Sequence, residues 1–182
     1  MTNKDILDNC WAIFIDIEGF SKIYRSSKPF QAMRLLQNLM KYLYLIGNKV
    51  YPDAPERLSV YHLCDSFLIV SDPIEENLER PVSIAIALMQ ALLLEDGIIS
   101  AGISSGQFGD FRSYYPEEIR ADINEYGIAK IGDGLMTIFQ VMGEALINSV
   151  KLLEKKPKDK GPCLSKLPEN PELLSSGMNG YP

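Results

Sequence analysis

The order of strand-like and helix-like segments constrains the fold of this chain more than any other feature. Four segments have the short apolar runs or the alternation of buried strands, residues 11–17, 58–63, 67–70 and 98–104. The second and third are separated only by Cys64-Asp65-Ser66, which predicts a hairpin with an acid at its turn.

Three helices are predicted around these strands. Met33, Leu36, Met40 and Leu43 recur at helical spacing and predict the first buried stripe. Residues 76–94 predict a second helix, which ends before Gly97. A last helix is predicted from a stripe that runs from Ile138 to Leu152 (Ile138, Val141, Met142, Ala145, Ser149, Leu152), after a region around residues 106–116 interpreted as a loop or insertion.

The first six segments predict an α+β fold, a ferredoxin-like βαββαβ core with an antiparallel sheet and helices on one face. A C-terminal extension follows this core. We expect one catalytic domain over residues 1–165 and a tail over residues 166–182 with the composition of a disordered segment.

Composition excludes several classes of protein. The net charge of −6 without a long basic run argues against nonspecific nucleic-acid binding and against membrane-surface binding. The most apolar run, residues 81–94, is too short to span a bilayer, and the polar N-terminus is not a signal peptide, so we expect a cytoplasmic protein with no membrane insertion. Three cysteines without motif spacing argue against disulfides and zinc, and the one histidine, His62, is expected to be packed or hydrogen-bonded.

Two acids occupy positions where metal chemistry is expected. Asp16 closes the first strand and Asp65 lies in the hairpin turn, and the first and third strands of a βαββαβ sheet are central neighbours. Two adjacent carboxylates repel unless a cation lies between them, and Mg²⁺ or Mn²⁺ prefers such oxygen ligands together with substrate phosphates. The turn after Asp16 leads into a helix whose N-terminus favours an anion. The alternative is that Asp16 is a cap and Asp65 an ordinary turn aspartate.

Four segments carry a resemblance to the class III nucleotidyl cyclases. Residues 14–21 (Phe-Ile-Asp-Ile-Glu-Gly-Phe-Ser) resemble the first metal motif of that family, and residues 64–67 (Cys-Asp-Ser-Phe) resemble the second. Residues 101–106 are similar to the Gly-Ile-x-x-Gly strand, and residues 142–154 are similar to the late Gly-x-Ala helix. The resemblance covers roughly residues 11–165.

The resemblance implies a role for each matching position. Asp16 and Asp65 match the aspartates that bind two Mg²⁺ or Mn²⁺ ions, and the backbone carbonyl of Ile17 matches a further ligand. The phosphate-binding turn is matched by Gly19, Phe20 and Ser21, the two base-reading positions by Tyr61 and Gln140, and the transition-state arginine by Lys151. In this family the site is shared between two subunits, which implies a homodimer with Lys151 and Gln140 acting across the interface.

Besides Tyr61, three positions depart from the family pattern. Cys64 replaces the glycine before the second aspartate, Ile147 stands where a transition-state asparagine is expected, and Asn148 lies one residue later. Lys151 keeps the charge of an arginine but lacks its bidentate fork. These changes leave open a non-catalytic cyclase-like module that binds nucleotide.

Tyr61 replaces the family's purine-selecting lysine. A tyrosine offers one hydroxyl and fills space beside a smaller ring. Together with the Gly-x-Ala helix of residues 142–154, Tyr61 resembles the pattern of the pyrimidine cyclases of bacterial antiphage defence called Pycsar. That similarity implies conversion of UTP to the 3′,5′-cyclic nucleotide and pyrophosphate, with CTP as the second candidate substrate. The cyclic nucleotide would be a second messenger in antiviral defence. A cyclase of ATP or GTP remains the alternative, and Tyr61 is equally consistent with an aromatic residue that packs within a strand.

Overall fold

A computed structural model describes residues 8–26, 28–50, 58–71, 77–111, 114–124, 126–139 and 141–155. In chain order the elements are β1 (Asp8–Ile17), α1 (Phe20–Arg25), α2 (Pro29–Leu45), β2 (Leu58–Leu63), β3 (Ser66–Ser71), α3 (Glu79–Leu93), β4 (Ile99–Asp110), α4 (Glu117–Asp122), β5 (Ile128–Ile131), β6 (Gly134–Thr137), β7 (Val141–Met142) and α5 (Glu144–Glu154). A π-helical turn, Ile46–Val50, extends α2 past the Gly47-Asn48 pair.

The main sheet has the strand order β2-β3-β1-β4-β7, and its pairs are antiparallel. Its first four strands reproduce the ferredoxin-like arrangement, with β1 and β3 as central neighbours. The predicted fold class is therefore confirmed. The boundary expected at residue 165 and the tail after it lie outside the described residues.

The two faces of the sheet are covered by different helices. On one face Ile13, Ile15 and Ile17 of β1 pack with α2 and α3 in the larger core cluster. The intervening residues of β1 point to the opposite face, because successive strand side chains alternate. There Cys10 and Ala12 join Ala145 of α5 in a second cluster. The two core helices thus share one face, as expected, and the C-terminal extension adds a helix on the other.

Three details of the predicted elements were wrong. In α2 the buried residues are Ala32, Leu35, Leu36, Leu39 and Leu43, whereas Met33 and Met40 are 41% and 46% exposed. The predicted stripe was centred too far to one side of the helix. Gly106 and Gly109 lie within β4, because that strand continues to Asp110.

The last helix begins at Glu144, because Gly143 with φ 150° separates it from β7. A side chain is excluded at Gly143, since a Cβ atom there would lie 2.1 Å from the carbonyl oxygen of Gln107. Ile138, Val141 and Met142 therefore precede the helix.

A polar contact joins α2 to the turn after α3. Tyr42 Oη and Asn38 Nδ2 donate hydrogen bonds of 3.0 Å to the two carboxylate oxygens of Glu95. The hydrogen bond to Glu95 raises the pKa of Tyr42 above its ordinary value, because ionisation would break it. In the ranges that the structure describes, no helix is long and apolar enough to cross a membrane.

Candidate functional site

Asp16 lies at the end of β1 between two serines on the neighbouring strands. Its Cα partners are Ser66 on β3 and Ser100 on β4, so all three residues face the same side of the sheet. Ser66 Oγ donates a 2.9 Å hydrogen bond to Asp16 Oδ1. Asp16 is half-buried while Ser66 is buried, and the hydrogen bond therefore fixes the carboxylate in a partly desolvated position.

Asp65 lies directly beyond this row, in the two-residue turn between β2 and β3. Leu63 pairs with Ser66 across the turn, which leaves Cys64 and Asp65 as its central residues. Cys64 has a φ of 57°, a left-handed conformation that costs a non-glycine residue about 1–3 kcal/mol. The predicted hairpin therefore places Asp65 one residue from the partner of Asp16.

The backbone of β1 directs a further oxygen toward this turn. Backbone groups along a strand alternate between its two neighbours. The amide of Trp11 points toward β3, where it binds Ser71 Oγ at 3.0 Å, and the amide of Glu18 points toward β4, where it binds the Ile98 carbonyl at 2.8 Å. Ile17 has the same parity as Trp11. The β1–β3 ladder ends at Asp16, and from this alternation we expect the carbonyl of Ile17 on the side of β3, beside the Cys64–Asp65 turn.

The turn after β1 leads directly into α1 through a glycine in the left-handed conformation. Gly19 is the N-cap residue of α1 with φ 69°, and its carbonyl accepts a 2.9 Å hydrogen bond from the amide of Ile23. Phe20 is half-buried against the core, and Ser21 is exposed at the first turn. Glu18 is held on the β4 side by a hydrogen bond from Ser100 Oγ.

These oxygens are hard ligands that suit Mg²⁺ or Mn²⁺. Among the described residues no group of three or more His, Cys, Asp or Glu side chains is placed to hold a metal. A metal at this end of the sheet would therefore complete its coordination with backbone, substrate or water oxygens, as Mg²⁺ commonly does. Metal binding by Asp16, Ile17 and Asp65 stays a prediction.

Tyr61 lies on the same face of the sheet as Asp16, two strands away. Strand spacing and residue rise put the two Cα atoms about 12 Å apart. The Tyr61 ring packs edge-on against Phe139, with centroids 5.5 Å apart, and at a tilt against Phe108, at 6.2 Å. Gln140, the other predicted base-reading residue, lies outside the described residues.

Lys151 lies on the outward side of α5. The helix is anchored by Ala145 and Ser149, which are fully buried, whereas Ile147 is 44% exposed and Asn148 and Lys151 are exposed. The approach of α5 to the sheet is close, since a Cβ atom at Gly102 would lie 2.1 Å from the Ser149 carbonyl oxygen.

Solved structures with the same fold are cyclase catalytic domains. The guanylyl cyclase domain of the RhoGC fusion protein from the aquatic fungus Blastocladiella emersonii, described as a non-canonical dimer, is 14% identical, with a TM-score of 0.52 over 82% of this chain and 75% of that one. The guanylate cyclase domain of RhGC from Catenaria anguillulae, in complex with GTP, is 15% identical, with a TM-score of 0.52 over 83% and 75%.

A third structure has the same likeness. The catalytic core of a rhodopsin-guanylyl cyclase with converted specificity, in complex with ATPαS, is 16% identical, with a TM-score of 0.51 over 83% of this chain and 74% of that one. No family model and no curated protein matches the sequence. The chain thus has the fold of a class III cyclase catalytic domain, at identities that show the fold alone.

Three residues around the site were not predicted from the sequence to contribute to it. Ser66 and Ser100 are the cross-strand partners of Asp16, and the strand register alone brings them to it. For Ser66 the sequence carried one signal, because this residue follows Asp65 directly in the predicted hairpin. Phe139 had no such signal, since its contact with Tyr61 joins segments 78 residues apart in sequence.

Proposed function

We propose that this chain is a pyrimidine nucleotide cyclase that converts UTP or CTP to the 3′,5′-cyclic nucleotide and pyrophosphate. The observation that carries this proposal is the convergence at one end of the sheet of the Asp16 carboxylate, the Ile17 carbonyl and the turn that contains Asp65. Two aspartates that served only as a cap and a turn residue would not need this shared register.

Asp16, Asp65 and the Ile17 carbonyl would hold two Mg²⁺ or Mn²⁺ ions. When bound, such ions lower the pKa of an attacking hydroxyl and neutralise charge on the triphosphate. The hydrogen bond from Ser66 restrains the Asp16 carboxylate. Less conformational entropy of this side chain is therefore lost when substrate binds. The turn formed by Gly19, Phe20 and Ser21 would position the phosphates at the start of α1.

The reaction is then an intramolecular phosphoryl transfer. The ribose 3′-oxygen loses its proton and forms a bond to the α-phosphorus, while the bond from that phosphorus to the bridging oxygen of the β-phosphate breaks. Pyrophosphate carries away the bonding electrons. The protein contributes positioning and charge stabilisation to this step rather than covalent chemistry.

The environment of Tyr61 supports a pyrimidine substrate. Its contacts with Phe108 and Phe139 hold the ring in one orientation beside the second core cluster. A fixed phenol occupies more lateral space than a lysine side chain and offers one hydroxyl to a base edge. One ring of a base fits beside it more readily than two, and Gln140 would supply the second contact to the base.

The outward position of Lys151 supports a homodimer. A cation on the exposed side of α5 is accessible to the site of another copy, and the exposed Ile147 beside it would provide an apolar contact for that copy. Each site would then combine Asp16 and Asp65 of one subunit with Lys151 and Gln140 of its partner. The cyclic nucleotide would act as a second messenger in antiviral defence.

Two other functions have specific observations in their favour. A purine cyclase is favoured by the fold likeness to domains whose structures contain GTP or ATPαS. A non-catalytic nucleotide-binding module is favoured by Ile147 and Lys151, which stand where the family has asparagine and arginine.

One assay separates the three candidates. The purified protein is incubated with ATP, GTP, UTP or CTP and Mn²⁺, and products are identified by mass spectrometry. We expect cyclic UMP or cyclic CMP as the main product. A dominant cyclic AMP or cyclic GMP product would establish the purine cyclase, and nucleotide binding with no cyclic product would establish the non-catalytic module.

A further inference from the structure

His62 has a set of contacts that the proposed reaction leaves unexplained. It lies on β2 three residues before Asp65, and its exposed side chain faces the side of the sheet opposite Tyr61. Its ring stacks on Phe67, its cross-strand partner, with centroids 4.7 Å apart and planes at 20°. Because Phe67 is almost fully buried, the stack fixes the imidazole against a rigid surface.

The same ring reaches back to the metal-site turn. His62 Nε2 lies 2.6 Å from the carbonyl oxygen of Cys64. A carbonyl oxygen only accepts, so Nε2 carries the hydrogen and donates it. The bond closes a small loop across the turn and holds the peptide that joins Cys64 to Asp65.

That peptide is where the backbone of the turn is least favourable. Cys64 adopts φ 57°, in the left-handed region that glycine enters without steric cost. A cysteine there needs compensating contacts, or the turn will populate other conformations. His62 supplies such a contact, and it does so at the carbonyl that sets the plane of the Asp65 amide.

We infer that His62 is a positioning residue that holds Cys64 in the left-handed conformation and thereby directs Asp65 toward Asp16; this inference rests on the proposed metal site. In effect an imidazole clamp does at this turn what a glycine would do without help. His62 itself touches neither metal nor substrate.

The test of this clamp is the affinity of the full chain for Mn²⁺, which is measured by electron paramagnetic resonance in the absence of nucleotide. In His62→Ala the turn spends less time in the binding conformation, so we expect Mn²⁺ affinity to fall about three- to tenfold, the effect of one lost hydrogen bond on a conformational population. His62→Phe keeps the stack but lacks the donor, and should fall similarly. Because His62→Phe retains a ring on Phe67, it separates loss of the hydrogen bond from loss of the stacking contact that His62→Ala also removes.

The decisive variant combines His62→Ala with Cys64→Gly. Glycine takes the left-handed conformation unaided, so this double variant should recover Mn²⁺ affinity to within about twofold of the unmodified protein. Unchanged affinity in His62→Ala, or a double variant as weak as His62→Ala, would overturn the inference.

A readout without metal separates this inference from the proposed function. Backbone chemical shifts of Cys64 should leave their left-handed values in His62→Ala and in His62→Phe. If these shifts move but Asp16→Asn leaves Mn²⁺ binding intact, the metal site is wrong and the clamp stands. Shifts that stay unchanged in both histidine variants would contradict the clamp itself.

Discussion

The end of the sheet at β1 and β3 and the outer side of α5 both carry residues that the cyclase motifs assign to the reaction, but they are built differently. At the sheet end Asp16 is half-buried and fixed by Ser66, and strand pairing sets its distance from the Asp65 turn. On α5 the side chains of Asn148 and Lys151 are exposed. The first region is organised within one chain, whereas the second is an exposed helix face that our proposal assigns to the site of a partner copy.

Because of this difference, we expect the largest loss of turnover from a substitution at the sheet end. In Asp16→Ala we expect cyclase turnover to fall by at least about 10³-fold, because a pre-positioned charge at the reacting centre is lost. The fold should persist, because Asp16 is only half-buried at the end of a strand. Turnover is measured by mass spectrometry of the cyclic product and folding by circular dichroism.

Asp122→Ala is the matched control, because Asp122 is exposed on α4 and belongs to neither region. It should leave turnover unchanged. If folded Asp16→Ala retains activity, the pair formed by Asp16 and Asp65 takes no part in the reaction.

A smaller effect is expected at the outer side of α5. Lys151→Ala should lower turnover about 10²-fold, the cost of one lost transition-state donor, without changing Mn²⁺ affinity. Lys151→Arg restores the bidentate fork and should equal or exceed the original rate by a few-fold. Equal rates in all three proteins would show that this side of α5 takes no part in the reaction.

The contact between α5 and β4 provides the smallest of these effects. Gly102→Ala places a Cβ atom against the Ser149 carbonyl and should reduce the free energy of unfolding by about 2–3 kcal/mol, as α5 is forced from β4. Urea unfolding measures the change. Gly47→Ala is the matched control, because no atom lies within 4 Å of the added carbon, and it should shift stability by less than about 1 kcal/mol.

The sheet end was predictable because its signals are local. An apolar run that ends on Asp16, and two strands separated by three residues, specify a strand and a hairpin without knowledge of the rest of the chain. The βαββαβ order then makes their acids neighbours. The serines that flank Asp16 follow from strand register, which the sequence does not display.

The region between β4 and α5 was much less predictable. The β5–β6 hairpin has strands of four residues, and its faces mix lysine, threonine and exposed apolar side chains, so no alternation marks them. Its one signal was the Gly132-Asp133 turn, with Gly132 at φ 56° as the first central residue. The start of α5 was misplaced because Val141 and Met142 fit the helical spacing, and only the backbone contact at Gly143 breaks it.

Mixing two inactive variants tests the division between the regions most directly. Asp16→Ala lacks the carboxylate at the sheet end, and Lys151→Ala lacks the cation on the outer side of α5. A dimer with one subunit of each variant therefore retains one complete site. After subunit exchange at equal amounts, half of the dimers are mixed and each has one of two sites intact, which predicts turnover of about a quarter of the unmodified protein. A mixture no more active than the two variants measured separately, although both dimerise and exchange subunits, would contradict a site shared between copies of this chain.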